Sequence, residues 1–101
     1  MSFAFYENEV SAWGYDRKII QHGKPMGQAV KTLEEAVELL DAVNKDDKEA
    51  IKDAIGDIVV TLIMQCCIQQ TTVTECLALA YEQIKDRKGH LTPEGVFVKS
   101  S

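Results

Sequence analysis

The sequence has two prolines in 101 residues, Pro25 and Pro93, and both sit beside glycines in short polar connections. With so few breaks, the chain between them is free to form long helices. No run of alternating apolar and polar residues rivals those helices, so an all-α fold is expected. Cysteine is scarce. Cys66, Cys67 and Cys76 form neither a metal-ligand spacing nor an even disulfide framework, and they are expected to be reduced thiols in the helix core. The two histidines, His22 and His90, are isolated in expected loops and read as surface residues. Basic residues are outnumbered 11 to 16, for a net charge of -5, which argues against nucleic-acid binding through neutralised phosphates. The longest charge-free segment, residues 58–74, is interrupted by Thr61, Gln65, Gln69 and Gln70 and is too polar to span a bilayer. The opening MSFAFYENEV holds no basic segment followed by an apolar run, so a cytoplasmic protein is expected. The segment GKPMGQ lacks the GK[ST] ending of a phosphate loop and reads as a turn.

What the sequence does contain is helical periodicity. A first helix is expected over residues 6–21, with Val10, Trp13, Arg17 and Ile20 on one face. A second, over 27–44, carries an apolar stripe of Met26, Ala29, Val30, Leu33, Val37, Leu40 and Val43. A third, over 46–70, opens with Asp46 and Glu49 at capping-box spacing, and a fourth, over 72–88, opens with Thr72 and Glu75 at the same spacing. Gly89 suits the C-terminus of the last helix. Residues 1–89 thus read as a single all-α domain resembling a four-helix bundle, and residues 90–101 as a turn followed by an extended tail. The third helix is apolar over most of its circumference between 58 and 64, and three partner helices in one short chain leave it undercovered. A homodimer or homotetramer is expected.

The second helix gathers Glu34, Glu35, Glu38 and Asp41 on one arc, with Lys31 among them and the apolar stripe opposite. Taken alone, this is an ordinary solvated face with Lys31 paired to Glu35 at i,i+4. The third helix changes the reading. Asp57 is followed on its own face by Val60, Thr61 and Met64, and no basic residue stands at i±3 or i±4 from it. An unpaired carboxylate among apolar groups must neutralise, pair or bind a metal. If the two helices form an antiparallel hairpin across the short DAVNKDD connection, Glu35 and Glu38 face Asp57. All-oxygen ligation suits Mg²⁺ before Mn²⁺, and a carboxylate-held Mg²⁺ leaves positions for substrate phosphates.

These residues carry a pattern. Gln28, Lys31, Glu34, Glu35 and Glu38, written Q-x-x-K-x-x-E-E-x-x-E, are followed by I-G-D at Ile55, Gly56 and Asp57. Together they resemble the all-α nucleoside triphosphate pyrophosphatases of the MazG-like group. The resemblance implies hydrolysis of a nucleoside triphosphate to monophosphate and pyrophosphate with Mg²⁺. It makes Glu35, Glu38 and Asp57 metal ligands and has Glu34 hold or deprotonate the attacking water. Gln28 and Lys31 fall to the substrate, as do Lys85, Arg87 and Lys88 at the end of the fourth helix. Those three also have a local reading, complementing the macrodipole at a helix C-terminus. Trp13 is either a core residue or a stacking platform for the base. One position departs from the pattern: the family usually shows E-x-x-D on the third helix, and here Ala54 stands where the Glu would be. Asp53, one turn before Asp57, is the substitute ligand on offer. That departure keeps a second reading open, a noncatalytic helical nucleotide-binding or assembly module with an incomplete metal set. A third keeps the chemistry and changes the substrate to a phosphoribosyl nucleotide.

Overall fold

The structure, a computed structural model, describes residues 1–100; Ser101, the last residue of the expected tail, lies outside them. It is mostly helical, with α1 at Phe3–Asp16, α2 at Ile19–His22, α3 at Pro25–Asn44, α4 at Lys48–Ile68 and α5 at Val73–Ile84. Two short strands follow, β1 at Gly89–Leu91 and β2 at Phe97–Lys99. No described helix is long and apolar enough to cross a membrane.

The centre of the fold is the α3–α4 hairpin. Pro25 occupies the first turn of α3, where a missing N–H costs nothing. Asn44 ends that helix, and Asp46 turns the chain in a left-handed conformation at φ 53°. Asp47 then caps α4 by accepting the Ala50 N–H at 3.1 Å. The expected cap was Asp46; of the two adjacent aspartates, the one in the turn cannot also hold the extended backbone a cap requires. The hairpin is antiparallel, because residues early in α3 meet residues late in α4. Gln65 Nε2 donates to the Pro25 carbonyl at 2.9 Å, and the Thr32 and Thr61 hydroxyls meet at 2.8 Å.

Helix α4 is packed by α1, α2, α3 and α5. Its Ala54, Thr61, Ile63, Met64 and Cys66 are buried. Gly14 brings α1 close: a Cβ there would lie 2.6 Å from Met64 Sδ, so the end of that side chain would have to shift to admit one. The expected single first helix is in fact two. The chain breaks after Asp16, and Lys18 adopts φ 64°, a left-handed turn by a residue that carries no sequence sign of it. The bend folds α2 back onto α4.

Helix α5 begins as read, with Thr72 accepting the Glu75 N–H at 3.0 Å. Glu7 of α1 accepts the Val73 N–H at 2.8 Å, and among the described helices α5 packs on α4 alone. It ends at Ile84, short of the expected residue 88. The extended tail folds back on itself: β1 and β2 pair antiparallel, with Gly89 opposite Lys99 and Leu91 opposite Phe97, and Gly95 turns at φ 84°.

The apolar stripe of α3 is not in the chain's own core. Met26 is 75% exposed and Leu40 71%, with Val30, Leu33, Val37 and Val43 exposed between and beyond them. The accessible surface is 7732 Å², whereas a folded monomer of 11.3 kDa exposes about 5,700 Å². The radius of gyration, 15.7 Å, likewise exceeds the roughly 13 Å of a compact chain of this length.

Candidate functional site

Antiparallel pairing sets the carboxylate arc of α3 against α4. Glu35, Glu38 and Asp57 each offer a carboxylate oxygen, and these oxygens lie within 4.8 Å of one another. Glu35 sits at the seam and is only 7% exposed. One of its oxygens faces the Lys31 ammonium at 3.4 Å, while the other, Oε2, is buried with no hydrogen-bond partner. Lys31 also reaches Glu34 at 3.5 Å, and its pKa is raised chiefly by the hydrogen bond and attraction to Glu35.

The cluster resists full ionisation. Glu38 is held above the usual carboxylate range, first by the close approach of the Glu35 carboxylate and then by the Glu35 charge. Asp57 is pushed up mainly by desolvation and then by the charges of Asp53 and Glu35. Carboxylates that repel in this way, around a buried oxygen that nothing on the chain satisfies, fit a hard divalent cation with all-oxygen ligation. Zinc would draw nitrogen or sulfur, and His22 and His90 are exposed, on α2 and β1.

Other sequence-selected residues fall into three groups. Trp13 lines a cavity of about 410 Å³ with Glu9, Val10, Asp57 and Val60, and a smaller one with Gln28, Lys31, Thr61 and Met64. It is therefore at the edge of the site rather than in the core, 41% exposed, with the Arg17 guanidinium 4.8 Å over its ring. Glu34 and Asp53 stand nearby but outside the three-carboxylate cluster. Glu34 is exposed beside Lys31, and Asp53 lines a cleft of about 320 Å³ with Glu38, Asp41, Lys45 and the buried Ala54. The side chain that Ala54 omits would have faced that cleft. Finally, Lys85, Arg87 and Lys88 follow the end of α5, a helix that packs on α4 and not on α3, and Lys85 pairs with Glu82 at 2.8 Å. Sequence reasoning overlooked Glu9. Its spacing of four residues before Trp13 was the signal that both would border one cavity.

A model of the MazG nucleotide pyrophosphohydrolase domain matches residues 27–92, which include α3 from Gly27 onward, α4, α5 and β1. The chain belongs to the MazG family. An uncharacterized 18.2 kDa protein from the rep-hol intergenic region of Haemophilus phage HP1 (strain HP1c1) is 34% identical over 55 residues. That alignment covers 54% of this chain and 34% of the phage protein, so the MazG chain described here spans about a third of its relative's length. No solved structure matches. The matched region holds Glu35, Glu38 and Asp57 but leaves α1, with Glu9 and Trp13, outside it.

Proposed function

We propose that the protein hydrolyses a nucleoside triphosphate, between its α- and β-phosphates, to the monophosphate and pyrophosphate at the α3–α4 seam, with Mg²⁺ as the cofactor. The observation that carries this is the buried, unpartnered Glu35 Oε2 within a three-carboxylate cluster. Membership of a pyrophosphohydrolase family supports it.

Glu35, Glu38 and Asp57 would hold the cation, with Asp53 as a further carboxylate from the cleft beside Ala54. Bound there, the cation supplies Lewis acidity and neutralises charge on phosphate oxygens. The chain's own groups do the rest. Glu34 is exposed and acidic beside the cluster, placed to orient the water that attacks the α-phosphorus and to take its proton. Lys31 and Gln28 line the adjoining cavity and offer donors to phosphate oxygens. The Trp13 ring offers a face for the base in the larger cavity, and Glu9 there would accept from an exocyclic amino group.

A second copy of the chain completes the picture. The excess surface of about 2,000 Å² over that of a compact monomer is what an obligate interface between identical chains buries from each. The Met26, Val30, Leu33, Val37 and Leu40 stripe provides the apolar face for it. Such a partner would offer its Lys85, Arg87 and Lys88 to the site of the first chain, whose own α5 does not pack on α3.

The test is to incubate the protein with a panel of deoxynucleoside and nucleoside triphosphates, with and without Mg²⁺, and to identify products by chromatography. Metal-dependent release of pyrophosphate and monophosphate is expected. Release of orthophosphate, or turnover indifferent to the metal, would overturn the proposal. Lack of turnover across the whole panel would favour the noncatalytic module that the absent Glu at position 54 leaves open.

A further inference from the structure

The corner where α4 meets α5 holds chemistry that hydrolysis does not use. Cys66, buried near the end of α4, and Cys76, exposed in the first turns of α5, place their sulfurs 4.0 Å apart. The third thiol is engaged elsewhere. Cys67 follows Cys66 directly, points about 100° around the helix, and faces the Ser11 hydroxyl of α1 at 3.4 Å. One accessible and one sheltered thiol are therefore in contact across two helices, with the remaining cysteine turned away.

We propose that Cys66 and Cys76 are a peroxide-oxidisable pair whose disulfide fastens the root of α5 to α4. A bond of about 2.05 Å needs the sulfurs to approach by roughly 2 Å, which side-chain rotation of Cys76 at the surface can supply. The order of events follows from exposure. The Cys76 thiolate attacks one oxygen of a peroxide, forming S–O as O–O breaks, and the departing hydroxide takes up a proton. Cys66 sulfur then attacks Cys76 sulfur, S–S forms, S–O breaks, and a second water leaves with the Cys66 proton. Two thiols lose two electrons and two protons in all, and hydrogen peroxide becomes two waters. Burial pushes the Cys66 thiol up to about 11, with the neighbouring Cys76 adding to the effect, so Cys66 is the poorer first target, and the 4.0 Å sulfur separation is what places it as the resolving thiol.

The bond would matter because α5 is lightly held. Its helix contacts are with α4 alone among the described elements, and one backbone N–H at its start is bound by Glu7. The basic residues Lys85, Arg87 and Lys88 hang from its far end. A covalent root limits where that end can travel, and reversible disulfides of this kind suit proteins in a reducing compartment.

The experiment uses the full chain under native conditions. Hydrogen peroxide is added, free thiols are blocked with N-ethylmaleimide, and a digest is mapped by mass spectrometry. The number of blockable thiols is expected to fall from three to one, with a Cys66–Cys76 linked peptide that dithiothreitol releases. Amide hydrogen exchange over residues 73–84 is expected to slow in the oxidised form. Cys67→Ser should bridge as the parent does, and Cys66→Ser should accumulate a dimedone-reactive sulfenic acid at Cys76. A thiol count that stays at three, a bridge between Cys76 residues of two chains, or a Cys66–Cys67 link would overturn the pairing. Unchanged exchange in a bridged protein would overturn the fastening. The outcome is independent of any nucleotide activity, because the parent protein alone answers it.

Discussion

On α3, the face turned to α4 carries Gln28, Thr32, Glu35 and Ala42, and the face turned away carries Met26, Val30, Leu33, Val37 and Leu40. A helix in a self-contained bundle would present these the other way round. The inward face has Thr32 bonded to Thr61, a carboxylate cluster and one unsatisfied oxygen. The outward face has five large apolar side chains in water. Each face is incomplete on its own terms, and under the proposed function what each lacks differs: a cation inside, a second copy of the chain outside. The comparison teaches that a helix's amphipathicity fixes its two faces without saying which one its own chain covers.

The comparison is broken most severely from the inside. Glu35→Gln or Asp57→Asn should lower kcat/KM by roughly a hundredfold or more, the scale of losing a group that stabilises transition-state charge, with the helical circular dichroism retained. The Glu35 change should at the same time raise metal-free stability by on the order of 1 kcal/mol, because it removes a buried charge with an unpartnered oxygen. Activity and stability moving in opposite directions is the mark of a site, and a parallel loss of both would point to a structural carboxylate.

From the outside, Leu33→Asp or Val37→Asp should dissociate the proposed assembly of identical chains. Full burial of one such side chain contributes about 1.5–3 kcal/mol, so sedimentation should show the subunit affinity falling by about tenfold or more. Metal binding by the separated chains should persist if the two faces are independent. A smaller effect is expected at the α1–α4 contact. Gly14→Ala drives a methyl into Met64 and should cost about 1–3 kcal/mol, read as a lowered thermal midpoint. Asp47→Ala removes the α4 cap and should cost about 1 kcal/mol.

The mildest probe is pH. Glu38 and Asp57 both have raised pKa values in the folded chain, so the folded state holds those protons more tightly than the unfolded one. Without metal, stability from this source is fully present below the ordinary carboxylate range and is lost as pH rises through the raised values. Denaturant titrations in chelator across that window should show the decline, and a divalent cation should offset it.

Much of the inner face could be read in the sequence. Asp57 without a basic neighbour, a short connection and the spacing of Glu35 and Glu38 were sufficient to predict their meeting, because helical periodicity and a tight turn leave one antiparallel arrangement. Thr72 as a cap was legible for the same local reason. Lys18 was not: its left-handed turn comes from α2 docking on α4, a tertiary demand with no Gly or Asn to announce it. The choice between Asp46 and Asp47 depended on backbone angles that adjacent identical residues do not reveal. The tail read as extended, which it is, but its return on itself depends on Gly95 and on pairing between residues six to ten positions apart. The exposed stripe was visible as a stripe and not as exposed, since that depends on how α3 is rotated against α4.

The most direct test of the inner face is calorimetric titration of Mn²⁺ and Mg²⁺ into the metal-free protein and into Glu35→Gln. Saturable binding by the parent, lost or greatly weakened in the variant while its helices remain, is the predicted result. Equal binding by the two proteins would contradict the assignment of the α3–α4 seam as the metal site.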